Sequence, residues 1–313
     1  FKSTRCRNRD DAQEYIKKLE RDGNPHGTTL SEYGRDFFVW KKCKWIRRQE
    51  EKEKSFAKEM AEMRRAHLNN YLFKEFGDLP IERLNPVMVE DWLSSLKLAK
   101  QTKNQIIYSL RMVVSEAHRE GIINHDPLVN IERYSTRNYK ARDILTPDDI
   151  EKLFPLDAVK FKKVWPVFSD GVMFATMLSA GLRSGEARAL QWMDIDFGLS
   201  GIYVRRALNI KQVLGEPKGK EIRAIPIPLR TVNLLSEWNE ATHYDSVNDF
   251  VFPDADGNPI TRYVALDRFR KGLKSAKIKV NGRDIVVHSL RHTFNTRMRS
   301  RLADGVLREL TGH

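Results

Sequence analysis

Two short segments in the second half of the chain carry side chains suited to phosphate chemistry. The sequence AGLRSGE at 180–186 puts Arg183 and Glu186 three residues apart on one face of a predicted helix. The sequence HSLRH at 288–292 puts two histidines and Arg291 on one face of another helix. The two arginines lie more than a hundred positions apart, so only tertiary folding could bring them together. Two guanidinium groups over one site can bind a phosphodiester and stabilise the negative charge of its transition state.

Each of these features alone has an ordinary structural explanation. Taken alone, the spacing of Arg183 and Glu186 indicates a structural ion pair. Taken alone, His288 would be a structural histidine whose hydrogen bonds are made within the fold. His288 and His292 have a spacing that zinc ligands can have, but Ser289 stands where a metallopeptidase helix carries its glutamate. No metal site is therefore predicted. The chain also lacks the glycine-rich motifs for nucleoside triphosphates and dinucleotides, so no cofactor is predicted.

The order of the motifs resembles that of the tyrosine recombinases, the phage integrase family. A-G-x-R-x-x-E is followed by H-x-L-R-H and then by LTGH at 310–313. Between them, EPKGKEIRAIP at 216–226 is similar to the β-hairpin of that family, whose lysine reaches the cleaved phosphate. The resemblance implies an integrase-type site-specific recombinase of a phage or mobile element, which acts through a 3′-phosphotyrosine intermediate.

The resemblance assigns roles in catalysis to two arginines and one lysine. Arg183 and Arg291 would hold the phosphate, and Lys218 would protonate the leaving 5′ oxygen, with Lys220 as the alternative. These roles suit the residue types, because preorganised cations stabilise the charge of a pentacoordinate phosphorane, and a protonated lysine helps to expel an alkoxide.

The resemblance also assigns supporting positions. His288 and His313 would bind the phosphate or relay protons, while Glu186 and His292 would support the residues that do so. Neither a metal nor a nucleotide cofactor is implied for the reaction.

The nucleophile of the family would lie about nine residues past His313, a spacing taken from the motif resemblance, and the sequence ends at His313. We therefore expect a chain truncated before its nucleophile, which binds DNA without cleaving it. The first alternative is a catalytically silent DNA-binding protein of recombinase descent, and the second is a basic RNA-binding or scaffold protein. The complete order of the other motifs argues against both alternatives.

The spacing of apolar residues, together with the family resemblance, predicts a mainly α fold with a small antiparallel β-sheet. A helical core-binding (SAM-like) domain is expected to precede a mixed α/β catalytic domain. The helices of the first domain are predicted at 56–76, 87–96 and 103–120. In the second domain, we predict a helix capped by Thr146, a helix over 172–190, strands over 202–208 and 222–227, and helices from Thr231, Tyr263 and His288.

The predicted domain boundaries follow from the same patterns and from the resemblance. They are 1–23, a remnant of an N-terminal arm-binding domain that includes a helix over 10–22; 24–135, the core-binding domain; 136–145, a polar, basic linker; and 146–313, a catalytic domain that lacks its C-terminal end.

The composition favours a polyanionic partner. The formal net charge is +13, which suits DNA, RNA or an acidic membrane surface. Within the segment from Trp40 to Arg48, five cations alternate with two tryptophans, a pattern that can bind DNA backbone; a solvated helix face is the alternative. The candidate DNA-binding residues are Lys41, Lys44, Arg47, Arg48, Lys103 and Arg111.

The remaining expectations concern partners and location. Double-stranded DNA is the expected partner, with self-association into a tetramer on DNA in the intact protein and a directionality or DNA-bending factor as a further partner. This chain is expected to form monomers or weak dimers on each DNA site. It has no apolar run long enough for a membrane span, and we expect a cytoplasmic, nucleoid-associated bacterial protein.

Overall fold

The computed structural model describes residues 8–11, 13, 14, 17, 27–54, 56–136, 143–217, 222–280 and 282–312. The predicted arm-binding remnant and its helix over 10–22 lie largely outside these residues. The chain divides into two compact units, Phe1–Tyr139 and Lys140–His313. Within the described part of the chain, no helix is both long enough and apolar enough to span a membrane.

The first unit is helical, as its apolar periodicity predicts. Its segments are α1 (Leu30–Gly34), α2 (Lys44–Glu51), α3 (Lys58–His67), a π-helical turn (Leu68–Leu72), α4 (Phe73–Phe76), a 3₁₀ turn (Ile81–Arg83), α5 (Pro86–Ser95) and α6 (Lys100–Arg119).

Local sequence explains where two of these helices begin and what they bury. Asn85 caps α5 by accepting a hydrogen bond from the backbone of Met88, and Pro86 occupies the first helical position, where a missing N–H costs nothing. Helix α6 buries an apolar face that includes Ile106, Leu110 and Val113, and this face forms part of the core of the unit.

A buried histidine in this core links stability to pH. His67 lies at the end of α3, where its Nδ1 is 2.9 Å from the hydroxyl of the fully buried Ser109. Burial, together with the nearby charge of Arg64, lowers the pKa of His67 below its usual value of 6.5. At acidic pH, His67 therefore binds a proton more readily in the unfolded chain than in the folded unit. As a result, the free energy of unfolding is not reduced by His67 above about pH 6.5, and it decreases as the pH drops below that value.

We expect His67→Gln to reduce this loss of stability in acid. Urea denaturation of wild type and variant at pH 7.5 and 5.5 measures the effect, and wild type should lose more unfolding free energy between the two pH values. His118→Gln is the control, because His118 is exposed on the same unit and its replacement should leave the pH dependence as in wild type. Equal pH dependence in wild type and His67→Gln would contradict the prediction.

The second unit mixes helices with short strands. Its helices are α7 (Pro147–Leu153), α8 (Ala158–Val164), α9 (Phe168–Ala180), α10 (Ser184–Ala187), α11 (Leu229–Ala241), α12 (Arg262–Ser275), α13 (Val287–Arg299) and α14 (Asp304–Thr311). Its strands are β1 (Ile195–Asp196), β2 (Gly201–Val204), β3 (Ala207–Leu208), β4 (Leu214–Gly215) and β5 (Arg223–Pro226).

The strands form two antiparallel sheets, one in the order β1-β2-β5 and the other of β3 with β4. In the larger sheet, Ile202 pairs with Ile225 and Val204 pairs with Arg223. Helix α9 packs against α11, α12 and α13, and α14 packs against β5. The mainly α fold with a small antiparallel sheet is confirmed.

The predicted helix over 172–190 is wrong in its middle. Helix α9 ends at Ala180, because Gly181 adopts the left-handed conformation with a φ of 62°. Helix α10 then begins at Ser184, so Arg183 stands at the N-cap of a new helix. The predicted strand over 202–208 is likewise interrupted, since β2 ends at Val204 and β3 begins at Ala207.

Candidate active site

The turn between α9 and α10 fixes the first arginine. Helix α9 ends at the left-handed Gly181, and the next helix, α10, has Arg183 at its N-cap and Glu186 at its third position. The Glu186 carboxylate accepts a hydrogen bond from the backbone N–H of Arg183, with an N–O distance of 2.8 Å. The same carboxylate accepts a second hydrogen bond from Nη1 of Arg183 at 2.8 Å. The carboxylate thus fixes both the backbone and the side chain of Arg183.

Glu186 also binds an arginine that the sequence analysis did not select. Nη2 of Arg223, on β5, donates to Oε2 of Glu186 at 2.6 Å. Burial alone would raise the pKa of the Glu186 carboxyl, but the charge and hydrogen bond of Arg223 and the hydrogen bonds from Arg183 outweigh burial and lower that pKa. Glu186 is therefore ionised at neutral pH between two guanidinium groups.

Three arginines converge on the end of α14. Nε of Arg223 donates to the carbonyl oxygen of Leu310 at 3.0 Å, and Nη2 of Arg291 donates to that of Thr311 at 2.5 Å. Nη2 of Arg183 donates to the carbonyl oxygen of Gly312 at 2.8 Å. These carbonyls lie at the C-terminal end of a helix, where partial negative charge accumulates and cations are stabilising. The site thus brings together the two predicted arginines, and a third joins them.

Arg291 is the most enclosed of the three, with 2% of its surface exposed. Its Nη1 donates to the carbonyl oxygen of Gly181 at 2.8 Å, which ties α13 to the turn after α9. Burial, followed by the charge of Arg183, lowers the pKa of Arg291 to about 10, so its guanidinium remains charged at neutral pH. Three guanidinium groups and one carboxylate leave the cluster with a formal charge of +2.

The histidines of the second motif form a pair on α13. His288 and His292 are half-buried, and their rings meet edge to face with centroids 4.5 Å apart. Within the residues that the structure describes, no cluster of three or more His, Cys, Asp and Glu side chains could hold a metal ion. Lys218, its alternative Lys220, and His313 lie outside the described residues.

The candidate DNA-binding residues of the first unit differ in exposure. Lys41, Lys44 and Arg47 are exposed. Arg48 pairs with the buried Glu116 at 2.6 Å. Trp40 and Trp45, which interleave with these cations, pack against the core of the unit.

The position of Lys103 on α6 contradicts its prediction as a DNA-binding residue. Lys103 is buried, because it lies on the core-facing side of the helix, and its ammonium group donates to the carbonyl oxygen of Ser94 at 3.3 Å. It also lies 5.2 Å from the ring centre of Tyr134. The predicted DNA contact of Lys103 is therefore corrected to a structural role. Arg111, on the same helix, is half-buried.

Arg223 is the site residue that sequence reasoning missed. Burial alternates along β5, so Arg223 and Ile225 share the inward face of the strand. The sequence did contain a signal for Arg223. In a strand, residues two positions apart face the same side, so Arg223 would face inward together with the apolar Ile225. A buried arginine needs hydrogen-bond acceptors or a counter-charge for its guanidinium group, and Glu186 was already a candidate.

The helices, the small sheet and the converged arginines define the catalytic-domain class found in integrases. The chain belongs to the phage integrase family, whose model matches residues 144–313. ICEBs1 integrase of Bacillus subtilis (strain 168) is 29% identical over 242 residues, which cover 72% of this chain and 61% of the integrase. Tyrosine recombinase XerC of Oceanobacillus iheyensis is 25% identical over 236 residues, which cover 72% of this chain and 71% of that protein.

Solved structures share the fold. The integrase of transposon Tn1549, in a complex with transposon right end DNA, matches with a TM-score of 0.67 and 20% identity over 86% of this chain and 90% of that one. A lambda integrase tetramer bound to a Holliday junction matches with a TM-score of 0.69 and 15% identity, over 100% of this chain and 86% of that one.

Proposed function

We propose that the protein is a site-specific recombinase that integrates or excises a mobile element, and that this chain binds DNA and holds the phosphate that is cleaved. The observation that carries the proposal is the meeting of Arg183 and Arg291 at the end of α14. The relatives add support, because ICEBs1 integrase and the Tn1549 integrase both serve mobile elements by name. The reaction class is phosphodiester transfer to a tyrosine, which releases a 5′-hydroxyl and leaves a 3′-phosphotyrosine link.

The arginine cluster suits this reaction. Arg183 uses one donor for Glu186 and one for Gly312 among the described residues, and a guanidinium group carries five N–H donors. It is 19% exposed, so donors remain for a phosphate oxygen that approaches from solvent. Because Arg183 and Arg291 are already fixed by carbonyl acceptors, little reorganisation is needed when charge develops on the phosphorane.

Other residues complete the proposed mechanism. Lys218, or Lys220 in its place, protonates the leaving 5′ oxygen, and His288 and His313 bind the phosphate or relay protons. His292 supports His288 through their edge-to-face contact.

The direct test is a suicide duplex that carries an end of the element. The protein, expressed from its complete reading frame, is incubated with this duplex and run on a denaturing gel. A covalent protein–DNA band that Arg183→Ala and Arg291→Ala both abolish is the expected result. Binding to a verified site without any covalent band would instead favour a catalytically silent DNA-binding protein.

Binding itself should depend strongly on salt. Each phosphate neutralised by a cation contributes about −0.9 to the slope of log affinity against log salt concentration. We propose that Lys41, Lys44, Arg47, Arg48 and Arg111 contact DNA, and we expect Arg47→Ala to reduce the steepness by about 0.9. Lys152→Ala is the control, because Lys152 already pairs with Asp148 at 2.6 Å. A flat salt response of the wild type would contradict DNA binding.

The same proposal extends to assembly and location. The protein forms a tetramer on double-stranded DNA, a proposal supported by the lambda integrase tetramer that is bound to a Holliday junction. A directionality or DNA-bending factor controls the reaction, which takes place at the bacterial nucleoid in the cytoplasm.

A further inference from the structure

The carboxylate that fixes Arg183 creates an electrostatic problem for phosphate binding. Glu186 is 1% exposed and binds Nη1 of Arg183 at 2.8 Å. An ionised carboxylate at this distance cancels most of the attraction that the guanidinium can exert on a phosphate, because little water screens the pair. The cap that places Arg183 would thus weaken the property for which Arg183 is needed.

Arg223 is positioned to remove this conflict. It contacts Oε2 of Glu186, while the side chain of Arg183 contacts Oε1. The side chain of Arg223 is 6% exposed, so little water screens the interaction between its guanidinium group and the Glu186 carboxylate. Its backbone is fixed by the pairing of β5 with β2, opposite Val204, and its Nε is held by the carbonyl oxygen of Leu310.

We propose that Arg223 is a positioning residue that neutralises Glu186 and thereby leaves the positive charge of Arg183 available for the scissile phosphate. The inference rests on the proposed function. Without Arg223, the formal charge of the cluster falls from +2 to +1, and Glu186 retains Arg183 as its only ionic partner among the described residues. Arg183 then turns toward the carboxylate and away from both Gly312 and the phosphate.

A double-mutant cycle between Arg223 and Glu186 tests the charge balance. The readout is the first-order rate at which the protein, expressed from its complete reading frame, forms a covalent complex on a saturating suicide duplex, measured well below the melting temperature of each variant. In the native Glu186 background, Arg223→Met is expected to lower the rate by about 10²-fold. In the Glu186→Gln background, the same change is expected to cost less than about threefold, because no carboxylate remains to be neutralised.

Arg223→Lys provides the rescue. It keeps a positive charge beside Glu186 but loses the planar fork that also reaches Leu310, and it is expected to retain at least about a tenth of the wild-type rate. Lysine and methionine have similar lengths, so a difference between the two variants reports charge rather than packing.

Arg283→Met is the control for the loss of a partly buried ion pair in the same unit. Arg283 donates to the Asp149 carboxylate at 2.6 Å and to the carbonyl oxygen of Ile144 at 2.9 Å, the same two kinds of partner that Arg223 has. This control is expected to lower the melting temperature while leaving the covalent rate as in wild type.

Equal losses from Arg223→Met in both Glu186 backgrounds would overturn the inference, as would equal rates for Arg223→Lys and Arg223→Met. A wild-type protein that forms no covalent product at all would overturn the proposed function, and this inference with it. Whether the wild-type protein forms a covalent product therefore distinguishes a failure of the proposed function from a failure of this inference alone.

Discussion

Arg291→Met is expected to slow covalent complex formation by about 10²–10³-fold, while the affinity for the duplex changes little. Arg291 is enclosed by the carbonyl oxygens of Gly181 and Thr311 and remains charged at neutral pH. Its contribution is largest when charge develops on the phosphate, because a buried and fixed cation is poorly screened. Duplex binding, in contrast, depends on many backbone contacts spread over the protein. Single-turnover rates and equilibrium binding, measured separately, check the prediction.

Arg230→Met separates this effect from a loss of stability. Arg230 also donates to two backbone carbonyl oxygens, those of Phe154 and Pro155, at 2.9 and 2.6 Å. Its replacement removes a comparable set of hydrogen bonds from the same unit without touching the arginine cluster. A rate for Arg230→Met as low as that for Arg291→Met would mean that the Arg291 effect is structural.

Gly181→Ala is expected to lower the unfolding free energy of the second unit by about 2–5 kcal/mol. The left-handed conformation at a φ of 62° costs a residue with a side chain about 1–2 kcal/mol. The added Cβ would also lie 2.4 Å from Cδ1 of Phe294, and over-packing of this kind costs about 1–3 kcal/mol. Denaturant titration of the variant measures the sum.

Gly282→Ala measures the conformational contribution alone, so its difference from Gly181→Ala gives the contribution of over-packing. Gly282 has a φ of 72°, and nothing lies within 4 Å of a Cβ added there. It should therefore lose only the conformational part, about 1–2 kcal/mol. Equal destabilisation by the two substitutions would show that Phe294 moves aside without cost.

Short motifs were enough to select three residues that the fold places in one cluster. Arg183, Glu186 and Arg291 were selected from spacing and from the resemblance to tyrosine recombinases, and the structure brings these three together. The mainly α fold with a small sheet also followed from apolar periodicity, because burial of one face is a local property of a helix or strand.

The sequence by itself therefore determined the family, the fold class and the order of the motifs. Tertiary structure decided which side chains share a buried environment: it paired Arg223 with Glu186 and turned Lys103 into the core. It also used three successive carbonyls at the end of α14, those of Leu310, Thr311 and the C-cap Gly312, to hold three arginines from separate elements. Such contacts depend on how distant elements pack, and a backbone carbonyl is present in every residue, so no residue type in the sequence marks it as a partner.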